Sequence, residues 1–482
     1  MTRRVDAALL VARGNAALAS GEARVAADCY RAALAASPDH PGLLYNLGNA
    51  LRTAGDVAGA EAALRRSLAL LPDQPAAHNN LGNLLRAAGR PAEALEAYRR
   101  ALFLTPADGQ VRANLGTALL DLHRPEEATV WLAQAVVADP ADAQARVKLG
   151  GALMLTRNPA AALAQYRQAR ALAPDLADAA LGEALARLTL GDWIAGWEAY
   201  EARLLHPRFK LHAADLRGVR WHGPEPIRGR TLMLLSEQGL GDTLQFCRYV
   251  PLLRRHGARV VLRVQRPLVR LLGGLADRIA APGDGALRFD AWCPLMSLPR
   301  AFATTPETVP PAAPLAANPA GLRVWRRRLG PRRGLRVGLA WTGNAEHPLD
   351  ALRSLPPDAL APLLGVPGVE AHALQPKARP ADKRIRVHPD IADFADVAAL
   401  AGLMDVVISV DTAMAHLAGT LGKPVWILLP HAADFRWLLD RADTPWYPSA
   451  RLFRQARPHD WAGVVDAAAQ ALRHLVRSGA GR

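Results

Sequence analysis

Apolar residues recur on one helical face through the first third of the chain. Leu44, Leu47 and Leu51 are spaced three and four apart, and Leu81 and Leu85 four apart. Each set predicts an amphipathic helix with its stripe turned to a core. The stripes come in pairs: Leu44–Leu51 is followed by Ala60, Leu64 and Ser67, and His78–Leu85 by Ala94, Tyr98 and Ala101. Gly14, Gly48, Gly82, Gly116 and Gly150 stand at steps of 34 residues, and Pro38, Pro72, Pro106, Pro140 and Pro174 keep the same step. Small residues mark where two helices approach closely, and large ones supply the knobs. Proline, which cannot continue a helix, closes each unit.

A helix–turn–helix unit of this period resembles the tetratricopeptide repeat. The resemblance implies an all-α solenoid over residues 1–206 with about six repeats, whose stacked units bury one continuous core. The sixth unit, Ala177 to Leu205, is degenerate: Ala184 replaces the glycine and Gly196 replaces an alanine. It is expected to cap the stack and dock onto the next domain. Asn46, Asn49, Asn79, Asn80, Asn83 and Asn114 fall on first helices, which line the inner face of such arrays. There they suit hydrogen bonding to the backbone of a protein partner on the concave face. A spacer or dimerisation element is the alternative.

After Leu205 the period stops and short apolar runs alternate with helical patterns. Thr231–Leu235 and Ala258–Val264 read as strands flanking an amphipathic helix over Thr243–His256. The segment Ala303–Pro319, rich in Pro, Ala and Thr, reads as a linker. Then strands are predicted at Leu335–Trp341, Val369–Leu374, Val406–Val410 and Val425–Leu429, with helices at Pro357–Leu364, Asp411–Leu421 and Asp460–Arg477. This order implies parallel sheets with crossover helices. The expected architecture is a solenoid followed by an α/β domain of two Rossmann-like halves facing a cleft. The halves are 207–302 and 321–482, with a linker at 303–320.

Composition narrows the partners. The chain of 482 residues carries a formal net charge of +15, yet only five of its basic residues are lysine and the basic positions are scattered. No stacked aromatic–basic motif of a nucleic-acid module appears, so nucleic acid is not the expected partner. A nucleotide diphosphate or an anionic membrane surface suits the charge better. Cys29, Cys247 and Cys293 are far apart and give neither a disulfide framework nor a metal pair. A reducing, cytoplasmic setting follows as the expectation. Arg13 interrupts the apolar run near the N-terminus, so no signal peptide is read there, and no stretch approaches the length of a membrane span.

Two loops carry candidate chemistry. Ser236-Glu-Gln-Gly-Leu-Gly241-Asp242-Thr243 follows a strand and opens a helix. Its glycines let a ligand approach the backbone, and the helix start favours negative charge. Asp242 is either a general base or only a helix cap; Glu237 is a second candidate base. In Ile408–Pro424 a buried strand delivers Asp411 and Thr412 to a helix start, with His416 one turn on from Thr412; Asp411 is a site residue or only a cap, and His416 a site residue or only a core residue.

With these residues in view, the segment from Thr231 to Arg454 resembles the bacterial ADP-heptose:lipopolysaccharide heptosyltransferases, glycosyltransferase family nine. The matching pieces are the Gly241-Asp242 loop, the strand end Gly338-Leu-Ala-Trp341-Thr-Gly343-Asn344, and Asp411-Thr412 with His416-Leu-Ala-Gly and Gly422-Lys-Pro424. The whole chain looks like bacterial proteins that fuse tetratricopeptide repeats to such a domain.

The resemblance implies a GT-B fold and an inverting, metal-independent glycosyl transfer from a nucleotide-diphosphate sugar, with no further cofactor. The acceptor would be a glycan, a lipid or a protein. Carried over residue by residue, Asp242 would deprotonate the acceptor hydroxyl. Gly241, Gly343, Asn344, Asp411, Thr412, Ala413 and His416 would line the donor. The family's basic phosphate contact falls to Arg353, with His347 behind it. Asp434-Phe-Arg436-Trp437 looks like a lid or acceptor contact, or else a surface loop around a packed tryptophan. The other reading of the chain is a scaffold whose transferase-like domain binds a nucleotide sugar without turning it over.

Overall fold

The computed structural model describes residues 7–206, 216, 218–346, 349–356, 358–376 and 378–478. The chain divides into two compact units, Met1–Leu176 and Ala177–Arg482.

The first unit is five helix pairs: α1 (Ala7–Ala19) with α2 (Ala23–Ala36), α3 (Pro41–Thr53) with α4 (Val57–Leu70), α5 (Pro75–Ala87) with α6 (Pro91–Leu104), α7 (Gly109–Asp121) with α8 (Pro125–Ala138), and α9 (Ala143–Leu155) with α10 (Pro159–Leu172). Each helix packs on the next along the chain. The periodic glycines are sockets. A Cβ on Gly14, Gly82 or Gly150 would stand within 2.8 Å of the ring of Tyr30, Tyr98 or Tyr166, and one on Gly48 or Gly116 within 2.7 Å of Leu64 or Leu132 Cγ. The periodic prolines lie just beyond the second helix of each pair.

A second periodic feature lies between the paired helices. Between the helices of each pair one residue adopts a left-handed backbone: Gly21, Gly55 and Gly89, then His123 and Arg157. The asparagines are half-buried rather than open. Asn80 Nδ2 donates to Asn49 Oδ1 at 2.7 Å, Asn114 Nδ2 to Asn79 Oδ1 at 2.9 Å, and Tyr98 donates to Asn83 Oδ1 at 2.8 Å. The first two bonds link successive first helices, and the third joins the two helices of one pair.

The second unit opens with a sixth pair, α11 (Ala177–Thr189) and α12 (Trp193–Tyr200), followed by a 3-10 turn over Glu201–Leu205. In this pair the socket has changed sides, and Gly196 on α12 receives Leu188 of α11. Two five-stranded sheets follow. The first contains β1 (Val219–Arg220), β2 (Thr231–Leu235), β3 (Arg259–Arg263), β4 (Arg278–Ala280) and β5 (Ala291–Pro294) in the order β1-β5-β2-β3-β4. The second contains β6 (Leu335–Ala340), β7 (Val369–Ala373), β8 (Val406–Val410), β9 (Val425–Leu429) and β10 (Ala450–Arg454) in the order β10-β9-β8-β6-β7. All pairings are parallel, as in Leu232↔Val260 and Val407↔Val425. β6, β8 and β9 are buried along their whole length, which is why they read as unbroken apolar runs.

The helices of this unit are α13 (Leu240–Phe246), α14 (Val250–Arg255), α15 (Leu298–Ala301), α16 (Pro319–Leu329), α17 (Asp350–Arg353), α18 (Ala361–Leu364), α19 (Phe394–Gly402), α20 (Ala413–Thr420) and α21 (Trp461–Arg477). The single helix expected over Thr243–His256 is instead α13, a 3-10 turn at Cys247–Tyr249, and α14. Pro251 is the reason: it has no N–H for the preceding turn and its ring crowds the carbonyl one turn back. The helix expected over Pro357–Leu364 is shorter, and Pro357 itself lies outside the described residues.

The strand orders place two switch points. From β2 the chain winds outward to β3 and β4, then returns to β5 on the other side of β2. From β6 it goes to β7, then crosses back to β8, β9 and β10. Ligands of such sheets bind at the carboxyl ends of the strands that flank the reversal. Those ends carry the loops after β2, β6 and β8.

Candidate functional site

The loop after β2 is closed by its own aspartate. The Gly239 N–H donates to Asp242 Oδ2 at 2.7 Å, satisfying an otherwise orphan amide at the start of α13. The cap reading of Asp242 therefore holds, and the second oxygen does something else. Asp242 Oδ1 accepts from Arg436 Nη2 at 2.5 Å. Arg436 is buried; it also donates to Asp434 Oδ1 at 2.8 Å and Gln245 Oε1 at 2.7 Å, and its guanidinium lies 4.5 Å from the centre of the Phe435 ring. Burial works against its charge, but Asp434 and then Asp242 outweigh that and hold its pKa above the usual value.

The loop after β8 builds the facing wall. Thr412 Oγ1 accepts from the Met414 N–H at 3.3 Å and caps α20, with Ser409 Oγ 3.2 Å away. Burial, and then the Asp434 carboxylate, push the Asp411 carboxyl up to about 6, against the pull of Trp437, Arg436 and Arg353. His416 is buried, bonds Tyr447 Oη through Nδ1 at 3.0 Å and stacks on Trp437 with 5.5 Å between ring centres. Burial, then Arg436 and Arg248, hold His416 well below the ordinary histidine range, so the ring is neutral.

The two walls touch. A Cβ on Gly241 would lie 2.7 Å from His416 Cδ2 and 3.4 Å from Ala413 Cα. Only glycine allows α13 and α20 to approach this closely. Residues 241–242 and 413–416, far apart in sequence, thus occupy one place.

The loop after β6 starts beside the loop after β8, because Ala340 pairs with Ser409 in the sheet. The Gly343 N–H donates to Ser354 Oγ at 2.8 Å, and Ser354 donates to Asp350 Oδ2 at 3.0 Å. Arg353 pairs with Asp350 at 3.2 Å, and a Cβ on Gly343 would stand 2.8 Å from Arg353 Nη2. Asn344 Oδ1 accepts from the Glu346 N–H at 3.2 Å. His347 lies outside the described residues.

Glu237 does not join this group. Its carboxylate is buried and accepts both Nε and Nη2 of Arg203 at 3.0 Å, together with the Met296 N–H at 3.0 Å. Gln245 and Tyr447 do join it, and no sequence motif marked either. Asp434 and Trp437 stood in the segment read as a lid or surface loop. Asp434 is legible in hindsight as a carboxylate two residues from an arginine; Tyr447 left no signal.

Among the described residues no helix is long and apolar enough to cross a membrane. Residues 11–75, 45–109 and 85–152 match the tetratricopeptide repeat family. The protein FlbA of Caulobacter vibrioides is 31% identical over 345 residues, covering 63% of this chain and 56% of that protein. The chain therefore spans about half the length of this relative. That match is longer than the first unit, so it takes in part of the second. Solved structures similar to the helical region include YrrB, described as a TPR protein with an unusual peptide-binding site: 23% identity, 39% of this chain, 100% of that one, TM-score 0.34. MamA of Desulfovibrio magneticus is 22% identical over 35% of this chain and 96% of that one, TM-score 0.34. PilF of Pseudomonas aeruginosa is 19% identical over 42% and 91%, TM-score 0.37. The N-terminal region is thus a run of tetratricopeptide repeats, and it precedes an α/β unit of two parallel sheets.

Proposed function

We propose that the chain is a glycosyltransferase of GT-B type that moves a sugar from a nucleotide-diphosphate sugar onto a hydroxyl, while its repeats hold a protein partner or the acceptor. One observation carries the reading. The loops at the switch points of both sheets converge, so that Gly241-Asp242 meets Ala413 and His416.

In this reading Asp242 accepts the proton of the acceptor hydroxyl as its oxygen attacks the anomeric carbon. The bond from that carbon to the diphosphate breaks on the opposite face, which inverts the centre. Arg436 fixes the carboxylate's direction. The N–H groups at the start of α20, the Thr412 hydroxyl and Arg353 take up the charge of the departing diphosphate. The neutral His416 ring, anchored by Tyr447, presents its Nε2 side to Gly241 and needs no counter-ion. Asp411, Gly343 and Asn344 complete the donor wall. Metal ions have no part in this scheme. The test is a panel of nucleotide sugars with the full-length protein, followed for release of nucleotide diphosphate. Asp242→Asn should keep donor binding and lose turnover by about a hundredfold or more; retained turnover rejects the assignment.

A second reading rests on one specific fact: both Asp242 oxygens are already engaged, by Gly239 and Arg436. A non-catalytic scaffold that binds a nucleotide sugar would look the same. Saturable binding across the panel, with no release of nucleotide diphosphate on any acceptor, selects it.

A further inference from the structure

We infer that the sixth helical pair and the 3-10 turn after it form an internal strut of the α/β unit, and that Arg203 and Tyr200 are positioning residues for the Asp242–Arg436 pair. The sequence reads this pair as a degenerate repeat. Its contacts are with both sheet halves.

Arg203 is fully buried and all five of its N–H groups are used. Nε and Nη2 grip the two oxygens of Glu237, and Nη2 also donates to Ser297 Oγ at 2.8 Å. Nη1 donates to Glu201 Oε1 at 2.8 Å and to the Tyr200 carbonyl at 3.1 Å. Glu237 belongs to the same short loop as Gly239, whose amide Asp242 caps. The next residue, Gln238, donates to Tyr200 Oη at 3.2 Å, and its carbonyl accepts from Gln265 at 2.9 Å. The loop that delivers Asp242 is therefore held on one side by the sixth pair.

The same helices hold the other partner. Helix α11 packs against the Phe435–Trp437 turn that carries Arg436. The Tyr200 ring lies 6.0 Å from Phe435, and Trp197 meets Phe435 edge-on at 5.7 Å and Phe246 at 6.0 Å. Trp193 stacks on Trp446 at 5.0 Å. Phe246 belongs to the first half, Phe435 and Trp446 to the second. One short helix thus wedges between both halves and touches the segments on either side of the ion pair. A repeat that only capped the solenoid would need neither a fully paired buried arginine nor this aromatic seam.

The consequence for turnover rests on the glycosyltransferase reading; the consequence for loop order does not. The experiment is amide hydrogen exchange on the full chain, comparing wild type with Glu237→Gln, Tyr200→Phe and Trp197→Leu. Tyr200→Phe removes only the Gln238 bond, so it reports even where Glu237→Gln fails to fold. The strut predicts exchange about tenfold faster in both 239–246 and 434–438, with β6, β8 and β9 unchanged. Faster exchange confined to 236–238, equal acceleration across residues 177–478, or no change overturns it. The nucleotide-sugar panel separates the two ideas. Loosened loops in a protein without transferase activity keep the strut and remove the enzyme. Activity with loops indifferent to these substitutions does the reverse.

Discussion

Arg436 donates to the Asp242 carboxylate across 194 residues of sequence, at 2.5 Å and largely out of water. The same guanidinium serves Asp434 and Gln245, so one side chain ties the turn after β9 to the start of α13. Removing it would leave the Asp242 and Asp434 carboxylates without the cation they share.

The first prediction follows from that pair. Arg436→Met should destabilise the second unit by about 3–5 kcal/mol, because a partly buried charge loses its partner. Asp242→Asn should cost less, because Asp434 still serves the arginine. A double-mutant cycle read by chemical denaturation should give a coupling of at least about 1 kcal/mol. Simple additivity would show that the bond does not couple the halves.

Two neighbouring glycines in α9 should respond with opposite signs. A Cβ on Gly150 meets the Tyr166 ring at 2.7 Å, whereas one on Gly151 finds nothing nearer than Tyr166 Oη at 3.9 Å. Gly150→Ala should destabilise the repeats by about 1–3 kcal/mol through overpacking. Gly151→Ala should stabilise them by about 0.5–1 kcal/mol, the usual helical gain over glycine. Urea unfolding of both variants checks this, and like signs would refute the socket.

The left-handed position gives a related test. His123 holds φ of 56° where the first three repeats place glycine, and such a backbone strains an L-residue. His123→Gly should raise stability by roughly 0.5–1 kcal/mol. An unchanged or lower melting temperature would mean that His123 makes a compensating interaction.

A pH effect follows from Asp411, whose pKa is pushed from 3.8 to about 6 by burial and by Asp434. The folded state holds this proton more tightly than the unfolded chain does. The resulting stability is fully present below the unfolded value and is lost as pH rises through about 6. The depressed His416 acts in the opposite sense: its contribution is present above 6.5 and lost as pH falls. Comparing wild type with Asp411→Asn isolates the first effect. The variant should gain on the order of 1–3 kcal/mol at pH 7.5 and little at pH 4, in thermal melts of the full chain. Parallel stability curves at all pH values would remove Asp411 from this account.

Whatever is local or periodic can be read from the order of residues. Gly14, Gly48, Gly82, Gly116 and Gly150 are legible because each socket and its knob recur together at one step. β6, β8 and β9 are legible because burial on both faces leaves an unbroken apolar run. The loops after β2 and β8 were readable as helix starts with a carboxylate at hand. Which charges meet is set by the packing of the folded chain. Glu237 and Asp242 sit five residues apart in one loop, yet one is consumed by Arg203 and the other faces Arg436. Tyr447 reaches His416 from a segment with no motif, and the sixth helical pair turns out to belong to the α/β unit. The reason is physical. A helix or strand is dictated by neighbours within a few residues, whereas a buried charge accepts any partner the packed chain brings within about 3 Å, and that choice leaves no trace in the order of residues.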